Sequence, residues 1–302
     1  MPLPATAAPP PFYYIDDGVP ESTTRLLQEA CAARDVPFLP VNPYAFDFRP
    51  EQQLQGGELL YRPAVSMTAL RVEQFLFAEG VATFHRRPED LFHDCMTPSL
   101  WFQRAGLPLP RTIYCATTDR TLLRDFVQQL GGFPIVLKVP GFESGLGVMR
   151  VDAFPTLFSF VDFALYQGFM PMLMAYIPEA THWRLIVLGD RVVASYQNVQ
   201  EEDDFRTYAP ATPEYYTTEP TPEMARIAVR AVYLRGSEFG GVDLLQHASG
   251  RCYLLEANFP CYFPQAQEVA GVDIAGLMID HLLAKARRLA EQSEPGDAGR
   301  TT

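Results

Sequence analysis

An α/β fold, mixed with antiparallel pairs, is predicted by three observations. Short runs rich in aromatic and β-branched residues alternate with longer stretches whose apolar residues recur at helical spacing. Glycine and proline clusters punctuate the boundaries between these runs. Hydrophobic residues make up 48% of the 302 positions. That supports a substantial core, and the length allows about two or three structural units.

Residues 1–11 carry many prolines and no periodicity, as expected of a disordered tail. Strands are predicted at Phe12–Ile15, Val36–Val41 and Leu59–Tyr61, with helices at Thr23–Ala33 and Val65–Ala78. Together they make an N-terminal βαβ-type domain, 12–96. A second unit, 97–178, begins its regular structure with a helix capped by Thr118 and ended by Gly131-Gly132. Strands at Pro134–Val139 and Val148–Val151 flank a glycine-bearing loop; a helix at Phe154–Tyr166 and a strand at Met172–Ile177 follow. The third unit, 179–292, opens with strands Trp183–Leu188 and Val192–Tyr196 around the turn Gly189-Asp190. The acidic, tyrosine-rich stretch Gln197–Pro220 has no periodicity and reads as a lid or a disordered loop. Thr221-Pro222-Glu223 starts a helix whose buried face is Ile227, Ala228, Ala231 and Val232. A β-hairpin around Ser249-Gly250 and a helix from Ile274 to about Ala290 complete the fold, and 293–302 reads as a second disordered tail.

Charge and cysteine usage narrow the function classes. With 24 basic and 36 acidic side chains the net charge is −12, which argues against nucleic-acid binding. No secretory signal or membrane span is evident, and five cysteines without CxxC spacing indicate neither a zinc site nor a disulfide scaffold. A cytoplasmic protein is the expectation. All but two of the cations are arginine; the lysines are Lys138 and Lys285.

That bias makes Lys138 conspicuous, since it ends the apolar run Ile135-Val136-Leu137. A compact ammonium fits beside phosphate where a guanidinium fork does not. The following loop, with Glu143, Ser144, Gly145 and Gly147, offers backbone N–H groups to phosphate oxygens. In the hairpin, a two-residue turn at Ser249-Gly250 sets Asp243 opposite Glu256. Alternation then puts Glu256 and Asn258 on one face and Tyr253, Leu255 and Ala257 on the other. Opposed carboxylates repel unless a hard cation lies between them, and these oxygens suit Mg²⁺. A solvated polar face is the alternative, although the apolar flanks favour burial. Arg184, in an apolar strand, and Arg206, in the acidic loop, are either ordinary ion-pair partners or cations for phosphoryl chemistry.

The ordered set of Lys138 with its glycine loop, Arg184, Asp204-Phe205-Arg206, Gly241-Val242-Asp243, Glu256-Ala257-Asn258 and Gly271–Gly276 resembles the ATP-grasp ligases, nearest to the RimK-like branch. The resemblance implies a two-subdomain ATP-grasp fold after the N-terminal domain. It implies ATP and Mg²⁺ (or Mn²⁺) as cofactors, and amide-bond formation between a carboxylate and an amine through an acyl phosphate. It assigns Lys138, Glu143, Ser144, Gly145, Gly147, Met174, Ala175, Tyr176 and Ile177 to ATP, and Asp243, Glu256 and Asn258 to the metal. Arg184 and Arg206 become the catalytic cations. Small-molecule or peptide substrates are implied, and a homodimer or homotetramer is allowed. The sequence departs from the pattern at Cys95, Ala175, His182, Asn198 and Phe259–Tyr262. Those departures keep a second reading open, a nucleotide-binding regulatory module without turnover.

Overall fold

The computed structural model describes residues 8–92, 98–141, 145–217 and 219–293. Cys95, Glu143, Ser144 and most of both expected tails lie outside the described residues. The first unit contains β1 (Phe12–Ile15), α1 (Glu21–Ala32), β2 (Phe38–Val41), β3 (Leu59–Tyr61) and α2 (Met67–Leu76). Its three strands run parallel in the order β2-β1-β3. Helix α1 starts two residues earlier than the periodicity suggests, directly after Pro20, whereas α2 is shorter at both ends, with Ser66 capping its start.

Next come α3 (Pro98–Arg104), β4 (Thr112–Ile113), α4 (Arg120–Leu130), β5 (Ile135–Lys138), β6 (Val148–Val151), α5 (Phe154–Tyr166) and β7 (Met172–Ala175). Asp119, not Thr118, caps α4; its carboxylate accepts from the N–H groups of Thr121 and Leu122 at 2.8 and 3.0 Å. Gly131 ends that helix in the left-handed region at φ 107°. The four strands form an antiparallel sheet, β4-β7-β5-β6, and α4 and α5 cover one face of it. Helix α3 packs elsewhere, its Phe102 buried in the core of the last unit.

The remaining elements are β8 (Ala180–Leu188), β9 (Arg191–Gln197), β10 (Val199–Gln200), β11 (Thr207–Tyr208), β12 (Tyr216–Thr217), α6 (Pro222–Leu234), β13 (Phe239–His247), β14 (Cys252–Asn258), α7 (Pro264–Ala270) and α8 (Ile274–Ser293). A five-stranded antiparallel sheet runs β12-β9-β8-β13-β14. One face, with Leu185, Val187, Val242, Leu244 and Ala257, packs on α6. On the other, Ile186, Ala194 and Tyr196 share a core with α7, α8 and the N-terminal strands. The stretch expected to lack structure instead contains three two-residue strands and a 3-10 turn. Strands that short carry no readable alternation.

Lys285 joins two of these units. Its buried ammonium donates to the carbonyls of Thr83 and His85 and to Glu238 at 2.9 Å, and His281 meets the same carboxylate. One of the two lysines is therefore structural. Among the described residues no helix is long and apolar enough to cross a membrane.

Candidate active site

The hairpin register is as expected at the site and different beyond it. Gly241 pairs with Asn258 and Asp243 with Glu256. Nearer the tip the partners shift by one, so Leu244 faces Leu254 and Gln246 faces Cys252. The tip is a three-residue loop, Ala248–Gly250, with Gly250 at φ 86°. A bulge after Asp243 leaves Leu255 as the extra residue on β14. The two deviations from the expected two-residue turn cancel, which is why Asp243 and Glu256 still meet. The bulge also corrects the face assignment. Cys252, Leu254 and Ala257 enter the core, whereas Tyr253 and Leu255 are half-buried.

In register, Tyr216, Tyr196, Arg184, Asp243 and Glu256 form one row across all five strands. Asp243 is 7% exposed, while Glu256 lies at the exposed end of the row. The expectation of burial holds for the first carboxylate only. Arg184 donates from Nη1 to Asp243 Oδ2 at 2.6 Å. Burial pushes the Asp243 carboxyl up, but the Arg184 guanidinium, with His182, outweighs it and holds the group well below the usual carboxylate range. Burial likewise pulls Arg184 down, and Asp243 more than restores it. The pair is charged. Cys261, behind it, has its thiol pushed up to about 12 by burial, so it packs as a neutral side chain rather than a nucleophile.

Space for Arg184 is created by Gly241. A Cβ there would lie 2.4 Å from Nη2 and 2.5 Å from Cζ of Arg184. Gly241→Ala is expected to displace the guanidinium from Asp243, destabilising the fold by about 1–3 kcal/mol. Thermal denaturation checks this; an unchanged Tm would show that Arg184 moves aside freely. The signal was present in the sequence as a glycine two positions before the aspartate, on the same face.

Asn258 Nδ2 donates to Glu256 Oε1 at 2.8 Å, which leaves the amide oxygen as an acceptor. Two carboxylates and an amide oxygen on adjacent strand positions suit a hard divalent cation such as Mg²⁺. Among the described residues no group of three His, Cys, Asp or Glu side chains is arranged to hold a metal. An ion here would therefore rely on this mixed set.

The stretch expected to form a lid folds back on β8, where Thr207 meets His182. Arg206 makes a forked contact with Asp204, with Nη2 2.7 Å from Oδ2, and Tyr208 donates to the same carboxylate. Hydrogen bonding from Arg206 and then Tyr208 holds the Asp204 carboxyl low. One member of the acidic run is thus committed to its own loop. A Cβ on Gly145 would lie 3.0 Å from Arg206 Cδ, so the lid rests on the glycine loop. Phe205 approaches Tyr176, with ring centroids 6.2 Å apart. His182, which sequence reasoning treated only as a departure, bonds Thr207 through Nδ1 and has Nε2 3.3 Å from Asp243 Oδ1. It bridges lid and row across a separation of 25 residues, which no local pattern encodes.

The small sheet carries the glycine loop and Tyr176 that meet this stretch. Lys138 pairs with Met172 and Val148, and Val136 with Met174 and Arg150, so Lys138, Met174 and Arg150 share the face away from the helices. Among the described residues no carboxylate pairs with Lys138. Ala175 faces the helical core, and its N–H donates to the Arg111 carbonyl at 2.8 Å. Tyr176 and Ile177 lie beyond the strand end, with the Arg150 guanidinium 5.0 Å from the Tyr176 ring. Gly145 and Gly147 hold φ 73° and 75°, the left-handed region that favours glycine.

Comparison with known proteins agrees with this architecture. Residues 99–282 match the RimK-like ATP-grasp domain. The chain is 32% identical over 189 residues to a probable alpha-L-glutamate ligase of Alkalilimnicola ehrlichii, covering 61% of this chain and 61% of that protein. It therefore spans about three fifths of that relative's length. A probable alpha-L-glutamate ligase of Xanthomonas oryzae pv. oryzae is 30% identical over 218 residues, covering 70% of this chain and 73% of the relative. Among solved structures, the ATP-grasp ligase PsnB complexed with a phosphomimetic variant of a minimal precursor, Mg and ADP superposes with a TM-score of 0.67 at 17% identity. That superposition covers 93% of this chain and 100% of PsnB, and it speaks for the fold. The family match takes in the four-stranded sheet and the five-stranded sheet that carries the row, and on that extent this chain belongs to the RimK-like ATP-grasp family.

Proposed function

We propose that the protein is an ATP- and Mg²⁺-dependent ligase that joins a carboxylate to an amine through an acyl phosphate. The observation that carries this reading is the row Arg184–Asp243–Glu256, with Asn258 beside it, facing a lid that bears a second arginine. The named relatives and the PsnB complex favour an amino acid or peptide as substrate. ATP and Mg²⁺, when bound, supply the transferable phosphoryl group and neutralise phosphate charge.

Asp243, Glu256 and Asn258 would hold the metal, and Lys138 with the amides of Gly145 and Gly147 would hold phosphate oxygens. Glu143 and Ser144 belong to the same loop. Met174 would offer its side chain to the base, whereas Ala175, Tyr176 and Ile177 would contribute backbone. A carboxylate is a poor electrophile. As its oxygen bonds to the γ-phosphorus, the bond to ADP breaks, and Arg184 stabilises the charge that develops. The amine nitrogen then bonds to the acyl carbon, phosphate leaves, and the nitrogen gives up its proton. Arg206 would leave Asp204 to meet the acyl phosphate, while the lid excludes water.

Release of ADP and phosphate against pools of carboxylates and amines tests this reading. Turnover is expected only when both classes are present. ATP binding without turnover in every pool would favour the nucleotide-binding module instead.

A further inference from the structure

Beyond β9 the chain leaves the five-stranded sheet, folds into the hairpin β10–β11, and carries Arg206 directly before Thr207. One residue of the sheet holds both ends of this excursion. The His182 carbonyl accepts from the N–H of Asn198 at 2.7 Å, and the ring Nδ1 bonds the Thr207 hydroxyl. The other ring nitrogen, Nε2, is sealed from solvent without an aligned hydrogen bond, and it faces Asp243 Oδ1 at 3.3 Å. Arg184 holds the second oxygen of that carboxylate, Oδ2, at 2.6 Å. His182 stands two residues before Arg184, on the same face of β8, so both side chains reach one carboxylate. A nitrogen lone pair opposite a carboxylate oxygen repels it. Electrostatics therefore assigns a hydrogen to Nε2, and the bond to Thr207 fixes the ring that presents it.

We propose that His182 is a positioning residue that couples the seating of the β10–β11 hairpin to the orientation of Asp243. The inference rests on the metal-ligand role proposed above for Asp243. Two donors, one on each oxygen, fix the plane of the carboxylate. Without His182 the carboxylate is free to turn until both oxygens meet the Arg184 fork, which withdraws them from a cation. If the hairpin lifts, the ring loses Thr207, and Nε2 loses its aim. Conversely, a cation that draws on Asp243 steadies the ring, then Thr207, and with it the neighbouring Arg206. Linkage requires the two effects to be equal in free energy. The second arginine is thus brought to the site in step with the metal.

The full chain tests this, with Mn²⁺ and ADP as probes. Free Mn²⁺ is measured by electron paramagnetic resonance, and backbone hydrogen exchange is followed over residues 198–208. In the wild type, Mn²⁺ with ADP is expected to slow exchange in that segment relative to ADP alone. His182→Asn keeps a polar atom toward Thr207 but loses the one toward Asp243. It should weaken Mn²⁺ binding about tenfold to a hundredfold and abolish the slowing. Thr207→Val, which preserves shape and leaves the row untouched, should weaken Mn²⁺ about threefold to tenfold, the worth of one hydrogen bond, and also abolish the slowing. Thr207→Ser should restore both. If His182→Asn fails to fold, the two Thr207 variants decide alone. Wild-type Mn²⁺ affinity or intact slowing in Thr207→Val would overturn the coupling, as would Thr207→Ser behaving like Thr207→Val. A wild type that takes up no Mn²⁺ with ADP would instead remove the metal-ligand role itself, and the coupling with it.

Discussion

Arg184→Ala is expected to lower stability by about 3–5 kcal/mol and Tm by roughly 5–10 °C, because it strands the Asp243 carboxylate in a buried row. Turnover should fall about a hundredfold to a thousandfold as well, if the guanidinium stabilises the transferring phosphoryl group. The double variant Arg184→Ala/Asp243→Asn should recover much of the stability but none of the activity. Acid sharpens the test. In the wild type the folded Asp243 pKa is depressed, so its stabilising contribution is present above the unfolded carboxylate range and lost as pH falls through the folded pKa. Without Arg184, burial loses its main counterweight and His182 is the chief group left opposing it, so the folded pKa rises from its wild-type position. Less of that contribution then remains above the unfolded carboxylate range. The stability gap between wild type and variant should therefore narrow on acidification. A gap that widens toward low pH would contradict the pairing.

Glu256→Gln is expected to abolish turnover with little effect on the fold. The side chain lies at the exposed end of the row, where it accepts from Asn258 and adjoins Asp243, so the change in stability should stay within about 0.5 kcal/mol. Loss of a charged oxygen from the metal set should reduce turnover about a thousandfold, equivalent to about 4 kcal/mol of transition-state stabilisation. Magnesium titration of the variant, read by ADP release alongside a thermal melt, checks both halves. Near-normal turnover at ordinary magnesium concentrations would remove Glu256 from the site.

The sequence was readable where one element alone carries the information. Phe154–Tyr166 is predicted to the residue, because thirteen positions of helical periodicity leave little freedom. The opposition of Asp243 and Glu256 was also readable, although the expected turn is one residue too short and the bulge at Leu255 compensates. Information carried between elements was not readable. The bridge from Thr207 through His182 to Asp243 depends on how the lid folds back, and the contact between Arg206 and Gly145 depends on how two sheets approach. Two-residue strands such as β10 and β11 form because their neighbours hold them, not because their residues prefer extension.

The burial of Lys285 has a practical consequence for chemical labelling. Its ammonium is enclosed and bonded to two carbonyls and Glu238, so an acylating reagent meets it slowly while the chain stays folded. Apart from an α-amino group, Lys138 is then the one primary amine within reach. Modification by an amine-directed reagent, quantified by mass, becomes a single-position gauge of what occupies the wall beside the glycine loop.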